Sequence, residues 1–159
     1  QDKTFEKIEM EIKYLNSKES FGMSGPWIGE LQINNQILEF EFLDNNFVKN
    51  ENGILYAFNR FRFKNKKVKY LFNLLSTNHS KREFQILIFD SENDKWYLAN
   101  EIHESLFLTR MEKGKVFFTK AFHNDNERVF PEKNIDFNDK YFTEINRNEI
   151  IKNAPQQRV

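Results

Sequence analysis

Residues 83–122, EFQILIFDSENDKWYLANEIHESLFLTRMEKGKVFFTKAF, decide the fold because they have the pattern of two consecutive β-hairpins. The first hairpin pairs residues 83–89 with 96–99 around a polar turn at 90–95. The second pairs residues 105–109 with 116–122 around a turn at 111–115, where Gly114 supplies the positive φ that a tight hairpin requires. This stretch therefore predicts a β-meander.

The rest of the chain adds further alternating segments. They lie at residues 5–15, 27–33, 37–43, 54–63 and 68–75, with a turn at Asn34-Asn35 and an Asn-rich loop predicted at 44–53. Short, regularly spaced strands without a long amphipathic helix indicate an all-β protein, an antiparallel meander of about seven to nine strands forming a sandwich or barrel.

The alternation of apolar and polar residues fades after residue 122. Residues 123–137 are predicted to be a polar connection, and residues 138–153 a short C-terminal helix capped by Asn138 or Asp139. We expect residues 1–159 to form a single all-β domain with its core in 5–122 and a C-terminal extension at 123–159.

The composition narrows the possible functions. The chain has no cysteine, which excludes thiolate zinc sites and cysteine nucleophiles, and its formal net charge is zero. No segment has the length of a membrane span or the pattern of a signal peptide, and the chain begins with Gln1, as a processed or trimmed protein would. We expect a cytoplasmic or periplasmic protein, the cytoplasm being preferred.

The charges are distributed unevenly along the chain. Residues 53–82 contain no acidic residue, whereas residues 83–104 contain Lys95 as their one lysine or arginine. An oppositely patterned protein partner would fit such a surface. The candidate partner-binding residues are Arg60, Arg62, Lys66, Asp90, Glu92, Asp94 and Trp96. This basic segment would repel a cationic partner surface. We therefore expect that the chain does not neutralise its partner through an acidic patch that mimics nucleic acid.

The basic segment 58–70 also interleaves arginines and lysines with aromatic residues, as single-strand nucleic-acid binders do. The alternative is that the rings enter the core while the charges coat an edge hairpin. The zero net charge favours this second interpretation.

Histidines offer the main alternative chemistry. If the second hairpin turns at Lys113-Gly114, its pairing brings His103, Glu104, His123 and Asp125 to one open end, where they could hold a divalent metal. Solvated strand ends contain the same residue types. The chain lacks phosphate-binding loops, nucleophile elbows and His-Glu-x-x-His, so we expect no enzyme and no cofactor.

The segment Gly25-Pro26-Trp27-Ile28-Gly29, followed by the paired hairpins, resembles small all-β bacterial proteins from toxin–immunity loci. The resemblance implies stoichiometric inhibition of a toxin by surface complementarity, with no catalytic residues. The same Gly-Pro-Trp is similar to the Gly-x-Trp of the first lipocalin strand, which implies a closed barrel carrying a small apolar ligand. In either case we expect Trp27 to lie in the core.

Overall fold

The computed structural model describes residues 10–19, 27–63, 82–121 and 130–152. Its elements are β1 (Ile12–Glu19), β2 (Trp27–Ile33), β3 (Gln36–Lys49), β4 (Leu55–Phe63), β5 (Arg82–Asp90), β6 (Lys95–Ala99), β7 (Phe107–Glu112), β8 (Lys115–Thr119), β9 (Lys133–Asp136), β10 (Phe142–Ile145) and α1 (Arg147–Ile150). The all-β class and the short C-terminal helix are therefore confirmed.

The strands form two antiparallel sheets. A seven-stranded sheet has the order β1-β2-β3-β4-β5-β6-β10, and a three-stranded sheet has the order β7-β8-β9. A closed barrel requires hydrogen bonds between the first and last strands. In the described part of the chain β1 pairs only with β2, and β10 only with β6. The described strands therefore form two open sheets, and neither closes into a barrel.

Both central hairpins form as predicted. The β5–β6 turn lies between Asp90 and Lys95, which pair with each other, and Lys113-Gly114 turns β7 into β8. Asp94 and Lys113 have φ of 52° and 53°, and Gly114 has 70°. Local turn chemistry is what made these hairpins predictable from sequence.

Two strands extend further than predicted. β3 continues to Lys49 through the predicted loop 44–53, because a register shift between Phe42 and Phe47 and the positive φ of Asn45 let the ladder resume. β1 continues past Asn16, whose φ is 53°, through a similar irregularity between Leu15 and Lys18. In both strands pairing is interrupted at a bulge and resumes beyond it, so the strand continues past polar residues that indicated its end.

The C-terminal residues belong to the sheets rather than to an extension. β9 lies within the predicted polar connection and completes the small sheet, while β10 adds an edge to the large one. Asn146 caps α1 by accepting from the Asn148 amide, whereas Asn138 accepts from the Lys140 amide in a turn. The predicted strand 68–75 and residues 5–9 lie outside the described residues.

The core consists of two apolar clusters that alternate along β4 and β5. The first cluster joins the two sheets and includes Phe61, Phe84 and Phe118. The second lies on the other side of the large sheet and includes Phe58 and Ile150 of α1. β4 is the fourth of seven strands and its residues 56–61 are all buried. The expectation of an edge hairpin at 58–70 is therefore wrong for β4.

Two buried asparagines connect the sheets. The Asn46 side chain donates to Leu108 O at 3.0 Å and accepts from Leu108 N at 2.9 Å. Asn59 Nδ2 donates to Asn46 Oδ1 at 3.0 Å and to Leu106 O at 2.6 Å. Their amides thus supply hydrogen bonds that β7 would otherwise lack.

Across the described ranges, none of the helices has the length and apolar character needed to cross a membrane.

Candidate binding groove

A groove of about 780 Å³ runs along β3 and β4 beside the C-terminal segment. Its lining combines aromatic, acidic and basic side chains. They are Glu30, Glu39, Phe40, Glu41, Arg60, Phe61, Arg62, Phe63, Asn148, Glu149 and Lys152. We call this surface the charged groove.

The C-terminal segment forms one wall of the charged groove because it is fastened to β3. Ile151 forms an isolated bridge with Leu38, and Lys152 N donates to Ile37 O at 2.8 Å. Arg147 donates to Gln36 Oε1 at 2.8 Å and also bonds Asp94. Ile150 of α1 is fully buried in the second cluster and anchors the helix to the core.

Arg60 is the buried cation of the groove, with 8% of its surface exposed. Arg60 pairs with Phe42 of β3. It lies on the same face of β4 as Phe58 of the second cluster, so the apolar side chains on that face are followed by its guanidinium. Nη1 donates to Gln85 Oε1 at 2.7 Å, and the guanidinium carbon lies 4.0 Å from the centre of the Phe40 ring. The buried Nε has no hydrogen-bond partner.

The electrostatic surroundings of Arg60 do not compensate its charge. Burial and, to a lesser extent, the neighbouring Arg62 lower the pKa of Arg60 to about 10, against the opposing effect of Glu83. Glu83 is already engaged, since its Oε2 accepts from Arg62 Nε at 2.5 Å. Arg60 therefore remains a cation at neutral pH, and among the described residues no carboxylate forms a salt bridge with it.

The groove also contains carboxylates that form no ion pair with any residue that the structure describes. Glu30 lies 3.5 Å from the Lys152 ammonium. Within the described ranges, no salt bridge of 4.0 Å or less involves Glu39, Glu41 or Glu149. The groove thus presents an unpaired cation and several unpaired anions, the arrangement that a partner of alternating charge can complement.

The predicted partner-binding residues lie in different parts of the structure. Arg60 and Arg62 line the charged groove, although Arg60 is buried rather than exposed. Lys66 lies outside the described residues. Trp96 is 3% exposed and stacks on Phe89 with ring centroids 4.2 Å apart, so it is buried rather than exposed, and its role in partner binding stays a prediction.

The predicted acidic residues Asp90, Glu92 and Asp94 lie at the β5–β6 turn and are not among the residues that line the groove. Asp90 Oδ1 accepts from the Glu92 and Asn93 amides at 3.1 Å each, and Asp94 pairs with Arg147. Two of the three carboxylates therefore stabilise the turn and the helix.

The predicted metal cluster does not assemble from its described members. His103 forms an isolated bridge with Phe84 of β5, is 7% exposed, and its ring lies 5.0 Å from that of Phe118. Glu104 is exposed, while His123 and Asp125 lie outside the described residues. No group of three metal-ligating side chains occurs among the residues that the structure describes.

Trp27 is 54% exposed, so its expected place in the core is wrong. It starts β2 at the margin of the sheet and pairs with Glu19 at the end of β1. Gly29 is the residue of that motif that the fold constrains, because a Cβ there would lie 2.3 Å from Ser17 Oγ and 2.9 Å from Leu15 O.

Sequence reasoning missed the acidic wall and the C-terminal wall of the groove. The alternation of residues 37–43 was a local signal for the acidic wall, because it puts Glu39 and Glu41 on the side of the strand opposite Phe40. The contact of residues 148–152 with that strand had no local signal, because it depends on the long-range bridge between Leu38 and Ile151.

Comparison with known proteins gave no match: no family model, curated protein or solved structure is similar to this chain.

Proposed function

We propose that this chain is a protein-binding module and that the charged groove is its binding surface. The observation that carries the proposal is the unpaired charge in the groove, namely the Arg60 guanidinium and the carboxylates of Glu39, Glu41 and Glu149. The buried Arg60 guanidinium has already lost most of its hydration in the free protein, so a docking carboxylate would pair with it at little further desolvation cost. The glutamates still exposed in the groove would complement positive charge on the same partner.

A protein surface fits this groove better than a nucleic acid does. One groove arginine is buried and the other is paired with Glu83, while four glutamates line the same groove. A phosphate backbone needs several accessible cations and is repelled by carboxylates. A protein can present both signs of charge within a few ångströms.

The resemblance to immunity proteins directs the proposal to one class of partner. We infer that the partner is a bacterial toxin, which the chain neutralises by occupying its surface in a stoichiometric complex. The unpaired glutamates favour a toxin surface that contains lysine or arginine, which revises the expectation of a non-cationic partner. The lipocalin-like alternative depends on a closed barrel, which the described strands do not form.

Co-expression with the product of the neighbouring gene tests the proposal. We expect an equimolar complex on co-purification and rescue of growth when the neighbour is toxic. Glu41→Lys, in the groove, should abolish rescue, whereas Glu92→Lys, in the β5–β6 turn, should preserve it. A chain that elutes alone beside a harmless neighbour would remove the toxin proposal.

A further inference from the structure

We propose that Arg60 forms a carboxylate-binding subsite in the charged groove, which takes an aspartate or glutamate side chain flanked by basic residues on the partner protein. This inference rests on the proposed function, since the occupant is part of a protein. It assigns the chemistry of the group that docks against Arg60.

The guanidinium has an edge of the right shape. Nη1 donates to Gln85 Oε1, and the buried Nε has no hydrogen-bond partner. Nε and Nη2 lie along the edge away from Nη1 and together match the two oxygens of a carboxylate. Phe40 supports one face of the guanidinium at 4.0 Å and restricts its rotation.

The energetics also favour an external anion. Arg60 is more than nine-tenths buried by surface area, and its nearest charged neighbour on β4 is the like-charged Arg62. A buried charge without a counter-ion is costly, whereas a hydrogen-bonded ion pair recovers much of that cost. Gln85 cannot supply the charge, and its Nε2 already donates to Ala99 O at 2.5 Å.

The remainder of the groove specifies what surrounds the incoming carboxylate. Glu39, Glu41 and Glu149 would weaken the binding of a free carboxylate such as acetate without preventing it, and would attract ammonium or guanidinium groups beside the carboxylate of a partner. Lys152, paired with Glu30, leaves those three carboxylates available. An apolar tail, as in a fatty acid, would have to lie among these charges, which disfavours it.

The subsite can be tested on the wild-type protein by NMR. We expect the Arg60 Nε–Hε resonance to shift saturably during titration with acetate and to be unaffected by acetamide, its neutral isostere. The Arg110 Nε–Hε group, which already donates to Glu132 at 3.2 Å, is the internal control and should not respond. Equal responses to acetate and acetamide, or a response of Arg60 no larger than that of Arg110, would overturn the subsite.

Three probes then distinguish the source of the carboxylate. Acetyl-Lys-Glu-Lys-amide should bind about tenfold more tightly than acetyl-Lys-Gln-Lys-amide, because a charge-assisted pair replaces a neutral one. Decanoate should bind no better than acetate; tighter binding of decanoate would contradict a protein occupant and support a lipid one. Arg60→Lys should remove the Glu-over-Gln preference, and Arg62→Lys should retain it.

The two proposals can fail separately. If acetate binds Arg60 but co-expression gives no complex, the subsite stands and the toxin proposal fails. If a complex forms while acetate leaves the Arg60 resonance unchanged, the protein-binding proposal stands and the carboxylate subsite is wrong.

Discussion

Asn46 and Asn59 are the residues whose side chains hold the two sheets in register. The substitution Asn46→Ala would remove the side-chain partner of the buried N–H and C=O of Leu108. We expect it to lower the free energy of unfolding by about 2–4 kcal/mol, measured by urea denaturation. Asn134→Ala, at an exposed position of β9, is the matched control and should change stability by less than about 0.5 kcal/mol. Equal effects of the two substitutions would refute the connecting role of Asn46.

His103 should make the stability of the protein depend on pH. Burial lowers its pKa, and the nearby Lys120 and Lys133 lower it further, whereas Glu101 opposes them. The unfolded state therefore takes up the proton first, and the folded state loses stability as the pH falls below about 6.5, the ordinary histidine value.

The substitution His103→Gln isolates this contribution. The difference in unfolding free energy between pH 7.5 and pH 5.5 should be smaller in the variant than in the wild type, because glutamine does not titrate. Chemical denaturation at both pH values measures it. A difference that is unchanged or larger in the variant would contradict the buried, neutral state of His103.

At the scale of elements, Gly29 allows β1 to approach β2 at its bulge. Gly29→Ala would place a methyl group against Leu15 O and Ser17 Oγ, so we expect β1 to detach partly, at a cost of about 1–3 kcal/mol. Hydrogen exchange should show lost protection in β1. Gly114→Ala, whose φ is 70° with nothing within 4 Å of the added Cβ, should cost about 1 kcal/mol through backbone strain and leave β1 protected.

The helix α1 is too short to be stable alone and depends on Ile150. Ile150→Ala removes a fully buried side chain from the second cluster and should cost about 2–5 kcal/mol. Asn148→Ala, exposed in the same helix, should be nearly neutral. Thermal unfolding compares the two, and similar melting temperatures would show that α1 does not need this contact.

The elements that sequence predicted well are those defined by neighbouring residues. The β5–β6 and β7–β8 turns carry their own polar residues and Gly114, so their positions were found. β3 was ended too early because its pairing with β4 resumes at Phe47, beyond Asp44 and Asn45, which locally indicate a loop. β9 and β10 were missed because their short strands gain stability from partners far away in sequence.

At the scale of the whole molecule, the charged groove collects residues from positions 30 to 152 of the chain. Charge patterning identified Arg60 and Arg62, but burial of the first and pairing of the second depend on the central position of β4 in the large sheet. Trp96 was proposed as a binding residue because aromatic anchors are common at interfaces. In the structure its side chain packs into the second core cluster.

The most direct test of the groove as the binding surface is the affinity of two charge reversals for the co-purified partner, measured by isothermal titration calorimetry. We predict that Glu41→Lys weakens binding by at least about tenfold, because it opposes the basic groups expected on the partner. Glu92→Lys, in the β5–β6 turn, should bind within about twofold of the wild type. Weakening by Glu92→Lys with none by Glu41→Lys would place the interface on the turn and contradict the account.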